Sequence, residues 1–247
     1  MNDAFRDWPK IDLHRHLEGS MRLSTIRELA SREKLELPYD DVDAFNASFR
    51  MTERDERSLV KFISKFIWLR KLIADKETLA RLTYEVIEDA ALDNVKYLEL
   101  RFNHYQLVKR GIPDEDIMKA LMEGIELAER KYDIDVGLIC GISRELPTEC
   151  ADSTVGFAIR NMDSGIVAID LMNDESYPPD RFVKQFERAR AAGLHATVHA
   201  GEAAGPVNIV NSILLLGADR IGHGTHVFWG ENADRIVREH NTMVERS

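Results

Sequence analysis

The chain has 247 residues, with 33 Lys and Arg against 43 Asp and Glu, for a formal charge of −10. Charges of both signs are spread along its length, which argues against a polymeric nucleic acid or a membrane surface as partner, since both want a basic patch. Two cysteines, Cys140 and Cys150, make neither a CxxC spacing nor a disulfide framework, and no run is apolar enough to span a bilayer; the expected setting is the cytoplasm.

Ile11 and Leu13 alternate with Asp12 and His14, the pattern of a first strand over residues 10–14. Strand side chains repeat every two residues, so His14 and His16 point to the same side, one pleat apart. Two imidazoles so placed can grip one divalent metal, and zinc readily takes histidine nitrogen. On this spacing alone they can equally be two unrelated histidines near a strand end. Gly19 then allows a sharp turn. A long helical region follows over 24–94. Ser24 is read as the cap of a helix beginning at Thr25. Residues 58–74 carry Leu59, Phe62, Ile63, Phe66, Ile67 and Leu69 at helical spacing, and 77–92 continue through Leu79, Leu82, Val86 and Ile87. Residues 45–52 read as a loop or short helix.

The second strand is expected over 96–102, and Pro113 and Asp114 open a helix running to 131. The third strand, 135–141, is nearly all apolar, as suits a parallel strand buried on both faces. A helix over 152–162, a strand over 166–171, a helix over 179–192 and a strand over 196–199 come next. A helix over 206–216 is stopped at Gly217. A strand over 220–222, a helix over 232–240 and a seventh strand over 242–245 complete the pattern. Short βα units in this rhythm predict an α/β chain of the (β/α)8-barrel type, with a helical insertion after strand 1. Such barrels place their chemistry at the C-terminal strand ends. The reactive residues cluster there: His14 and His16 after strand 1, Asp170 to Glu175 after strand 4, His199 to Glu202 after strand 5, and His223 to His226 after strand 6. His104, His195 and His240 fall elsewhere and read as surface or packing residues.

The segments DLHRHLEG, HAGEAAGP and RIGHG, together with VAIDLMNDE, resemble the adenosine deaminase family of metal-dependent aminohydrolases over essentially the whole chain. The resemblance implies one zinc ion per chain, held by His14, His16 and His199. It implies a water acidified from about 16 toward ~7 by that metal, added to C6 of a 6-aminopurine. Glu202 is the implied proton donor to ring N1, which requires a raised carboxyl pKa. His223 is implied to orient the water and take its proton. His16 and Glu18 are implied on the sugar side of the ligand, and the backbone at Asn173 beside the purine. The implied reaction converts adenosine or 2′-deoxyadenosine to the 6-oxopurine and ammonia in purine salvage, with a purine nucleoside as the small-molecule partner. Asn173 stands where the family usually has glycine, and Glu18 where many members have aspartate, which leaves room for another 6-aminopurine such as adenine.

The family's Asn-Thr-Asp-Asp-Pro-type segment at strand 8, whose first aspartate is a zinc ligand, has no counterpart here. The expectation is therefore a single deaminase domain over 1–247, truncated at its C-terminal side, with the last one or two β/α units absent and weak or no activity alone. Other metal hydrolases open with a similar DLHRH segment. A two-metal amidohydrolase would want a lysine where Ile169-Asp170-Leu171 stands, and the HxE and PCxxC set of cytidine deaminases is absent. An inactive or binding homologue is the reading from a different class.

Overall fold

The structure, a computed structural model, describes residues 5, 7–35, 45, 48, 49, 53, 55, 58–230 and 232–245. The segment 45–52, read as a loop or short helix, lies for the most part outside them. Seven strands are present among the described residues: β1 (Lys10–His16), β2 (Val95–Phe102), β3 (Asp135–Ser143), β4 (Ile166–Met172), β5 (His195–Ala200), β6 (Arg220–His223) and β7 (Met243–Glu245). They form one sheet in the order β1-β2-β3-β4-β5-β6-β7. Sequential order without a reversal is the topology of a singly wound (β/α)8-type barrel. A doubly wound sheet would reverse at a switch point.

Nine α-helices lie among the described residues: α1 (Leu23–Arg32), α2 (Leu59–Leu69), α3 (Lys76–Leu92), α4 (His104–Lys109), α5 (Asp114–Glu129), α6 (Thr148–Arg160), α7 (Val183–Ala191), α8 (Pro206–Leu214) and α9 (Ala233–Glu239). Of these, α4 has no counterpart in the sequence reading. It is six residues long, too short to show a helical period. The helix expected from 179 starts as a 3₁₀ turn, Pro179–Phe182, before α7.

By contacts, the chain divides into two compact units, Met1–Leu98 with Gln106–Val136, and Glu99–Tyr105 with Gly137–Ser247. In the first unit α3 packs against α5. Leu79, Leu82, Val86 and Ile87 are buried on one helix, and Ile117, Leu121 and Ile125 on the other. A Cβ at Gly124 would meet Ala80 O and Thr83 Cβ at 2.7 Å, so the two helices approach closely at that glycine. Polar ties join α1 to α3: Thr25 Oγ1 donates to Glu85 at 2.7 Å, and Arg81 pairs with Glu28 at 2.5 Å.

One local expectation needs correction here. The first helix begins at Leu23, with Arg22 rather than Ser24 at its cap and no capping side-chain hydrogen bond. Arg22 is instead anchored by Glu88 and Asp89 of α3, at 2.7 and 2.6 Å, so a tertiary ion pair sets the helix start. Gly19 lies in the turn expected of it, over residues 17–19 with Ser20 N–H donating to Leu17 O at 3.3 Å, at a φ outside the left-handed region. Its lack of a Cβ makes room for the Phe66 ring, which a Cβ would meet at 2.5 Å.

In the second unit β3 to β7 pair in parallel. The register places His199 opposite Gly222 and Ala200 opposite His223, so the ends of β5 and β6 lie side by side. Every residue of β3 from Gly137 to Ser143 is buried, as its apolar run requires. The helices α6 to α9 separate the strands. No helix among the described residues is long and apolar enough to cross a membrane.

Candidate active site

In the first unit β1 ends in the two histidines. The His14 and His16 ring centroids lie 5.3 Å apart with planes at 62°. Asp12 organises the strand around them: its Oδ1 accepts from the His14 backbone N–H at 3.0 Å, and its Oδ2 pairs with Arg15 at 2.7 Å. Glu18, just beyond, is buried.

In the second unit the ends of β4, β5 and β6 bring the remaining candidates together. The His199 and His223 rings stand 5.1 Å apart at 59°. His199 is buried, and its Nδ1 bonds to the Asp170 carboxylate, 3.1 Å from Oδ1 and 3.0 Å from Oδ2. A carboxylate on one ring nitrogen fixes the tautomer and directs the other toward a metal. His223 sits in the left-handed region at φ 67°, a conformation costing a non-glycine residue about 1–3 kcal/mol and concentrated at functional sites. A cavity of about 380 Å³ opens beside it, walled by Thr225, Phe228, Val237 and Val244.

Glu202 lies one residue past Gly201, whose φ of 71° turns the chain at the end of β5. The Glu202 Oε2 is 3.5 Å from His223 Nε2. Burial, and then the charge of Glu175, push the Glu202 carboxyl up to about 7. A carboxyl of that kind can hold a proton near neutral pH and deliver it.

Asn173 follows β4 in the left-handed region at φ 78°, a backbone shape that suits glycine best and asparagine next. Its side-chain amide donates to Ser143 Oγ, at the end of β3, at 3.0 Å and to Glu145, just after it, at 2.8 Å. The structure therefore ties the Asn173 side chain to the neighbouring strand end. His104, read as a surface or packing residue, is buried, stacks on Phe157 at 4.2 Å and bonds to Thr154 Oγ1 at 3.3 Å.

Sequence reasoning passed over the charges beneath these side chains. Arg101, at the end of β2, is fully buried and bonds to Asp170 and Glu245 at 3.0 Å each. Glu245 in turn pairs with Arg220 at 3.0 Å and accepts from Thr197 Oγ1 at 3.2 Å. Arg220 also pairs with Glu99. Arg144 is buried too and donates to the His199 carbonyl and, at 3.2 Å, to that of Tyr177. Burial pulls its guanidinium below the ordinary value. The signal available in the sequence was the presence of charges inside otherwise apolar strands, in Glu99, Arg101 and Asp170.

Comparison with known proteins gives a consistent outcome. The family described as Adenosine deaminase matches residues 9–246. An adenosine deaminase of Clostridium botulinum (strain 657 / Type Ba4) is 37% identical over 243 residues, which are 98% of this chain and 73% of that protein. An amidohydrolase from Burkholderia ambifaria, solved with bound Zn, superposes with a TM-score of 0.88 at 29% identity, over 97% of this chain and 65% of that one. An adenine deaminase from Arthrobacter aurescens superposes with a TM-score of 0.84 at 25% identity, over 94% of this chain and 69% of that one.

Proposed function

Since the chain belongs to the adenosine deaminase family of aminohydrolases, we propose that it catalyses the zinc-dependent hydrolytic deamination of adenosine and 2′-deoxyadenosine to the corresponding inosines and ammonia, as a cytoplasmic enzyme of purine salvage. The observation that carries the reading is the Glu202 carboxyl, raised to about 7 by burial and set 3.5 Å from the His223 ring at adjacent strand ends.

One zinc ion is assigned to His14, His16 and His199. The donor chemistry supports His14 and His199, which with His223 each offer a ring nitrogen as a possible metal donor, whereas His16 is assigned on the family likeness. The Asp170 bond to His199 Nδ1 is the kind of outer contact that metal-bound histidines carry. Bound there, zinc would supply a water made acidic enough to act as a nucleophile near pH 7. Glu202 donates its proton to ring N1 of the purine, which makes C6 electrophilic. His223 orients the water and receives its proton. His16 and Glu18 serve the sugar side, and the Asn173 backbone stands by the base.

A second reading replaces adenosine with adenine. The likeness to an adenine deaminase favours it, as does Asn173, whose side chain occupies a place where the family usually has none. The test is absorbance-monitored turnover of adenosine, 2′-deoxyadenosine and adenine by the 247-residue chain loaded with zinc, beside its Glu202→Gln variant. Slow inosine formation that disappears in the variant supports the first reading, and conversion of adenine alone supports the second. Zinc binding with all three compounds left intact would make the chain a binding homologue. Zinc content of single alanine variants at His14, His16, His199 and His223 decides which imidazoles hold the ion.

A further inference from the structure

Glu175 lies three residues after β4 and is 3% exposed; above, it enters only through its charge, the lesser cause of the raised Glu202 carboxyl. Its carboxylate meets the backbone of the loop that carries Glu202. Oε1 accepts from the Glu202 N–H at 3.3 Å, and Oε2 accepts from Ala203 N–H at 3.0 Å and Ala204 N–H at 2.5 Å. Its own carbonyl accepts from Asn208 Nδ2 at 3.0 Å, which ties the same turn to α8.

The carbonyl groups of that loop are held from the other side. Gly201 O accepts from Thr225 Oγ1 at 2.5 Å and from the His226 backbone N–H at 3.0 Å. Ala204 O lies 2.7 Å from His226 Nδ1, which fixes the proton on that nitrogen. Successive N–H groups that converge on one anion form a concave nest, a feature that elsewhere binds phosphate or carboxylate ligands. Here the chain's own carboxylate fills it. Hydrogen bonds to an ionised acceptor are about twice as strong as neutral ones, so this contact holds the loop more firmly than a neutral acceptor would.

We propose that Glu175 is a positioning residue: its carboxylate, gripped by the N–H groups of Glu202, Ala203 and Ala204, fixes the loop that sets the Glu202 carboxyl against the His223 ring. The consequence for turnover rests on the deaminase reading, whereas the holding of the loop does not. A displacement of about 1 Å in a reacting group is enough to cost on the order of 100-fold in rate. The effect belongs on kcat, because the loop carries a proton donor and the metal donors lie outside it.

The experiment compares Glu175→Ala and Glu175→Gln with the unaltered 247-residue chain, all supplied with zinc. Adenosine kinetics, zinc content and amide hydrogen exchange over residues 201–205 are measured on each. In Glu175→Ala, exchange at 202–204 rises about tenfold or more, kcat falls about 10–100-fold, KM stays within about threefold, and zinc content is kept. Glu175→Gln keeps one oxygen of the same reach and falls between the two. It also carries both measurements if the alanine variant does not fold. A kcat within about twofold of the unaltered chain, a change confined to KM, or unaltered exchange at 202–204 overturns the proposal. If the unaltered chain leaves adenosine intact, the deaminase reading has failed, and the exchange rates alone decide whether Glu175 holds the loop.

Discussion

Asp170 and His199 are joined at the ends of adjacent strands, with the carboxylate oxygens 3.0 and 3.1 Å from the ring Nδ1 and both side chains almost wholly buried. The contact leaves the imidazole one tautomer and one orientation, with Nε2 directed away from the carboxylate. Outer partners of this kind alter metal affinity by about 10–100-fold when removed. Asp170→Asn is therefore expected to weaken zinc binding by about that factor. Competition against a chromogenic chelator measures it, and an unchanged affinity would count against His199 as a ligand.

Arg101 makes a prediction about stability rather than chemistry. It is buried between Asp170 and Glu245, each within 3.0 Å. Removing one partner of a buried ion pair strands the other charges in a medium that solvates them poorly, at a cost of about 3–5 kcal/mol. Arg101→Met is expected to lose that much in urea unfolding. The exposed pair Arg235–Glu239 on α9 provides the contrast: Arg235→Ala is expected to change stability by about 0.5 kcal/mol or less. Equal effects at the two sites would show that burial is not what gives Arg101 its weight.

The strands were legible from short apolar runs bounded by a change of period, or, in the first, from apolar and polar residues in alternation, and the sheet order follows from their even alternation with helices. The histidines and Glu202 were legible because reactive side chains gather at strand ends. What escaped was tertiary in origin. Arg22 fixes the start of α1 through acids some 66 residues away, which no local cap signal announces. Gly19 lies in its expected turn, but its missing Cβ also admits the ring of Phe66, and a sequence does not say which residue will press on a glycine. Glu175 is one of several polar residues that follow strand 4, and nothing local announces that its carboxylate sits among three backbone N–H groups.

Asn173 separates backbone strain from side-chain contact. At φ 78° a residue other than glycine or asparagine pays about 1–2 kcal/mol. Asn173→Ala adds that strain and loses the bonds to Ser143 and Glu145, for an expected loss of about 2–3 kcal/mol in urea unfolding. Asn173→Gly loses the same bonds but relaxes the backbone, and an expected loss of about 1 kcal/mol follows. If both variants lose the same amount, the left-handed backbone contributes nothing to the cost.

The Glu202 carboxyl ties activity and stability to the same proton, and pH moves both. Burial and Glu175 raise it to about 7, from an ordinary value of 4.5. As proton donor it works in its protonated form, so kcat is expected to fall as pH rises through about 7, and Glu202→Gln is expected to lose about 100–10,000-fold. For stability, the unfolded carboxyl gives up its proton near 4.5 while the folded one keeps it to about 7. The unfolded state therefore binds fewer protons across that window, and stability declines from pH 4.5 to 7 and levels off above it. Glutamine cannot ionise and escapes the decline. Thermal unfolding of the two proteins should show Glu202→Gln gaining on the unaltered chain at pH 8 relative to pH 4. A stability difference that does not vary with pH would mean that the carboxyl titrates near its ordinary value and cannot hold a proton for the reaction.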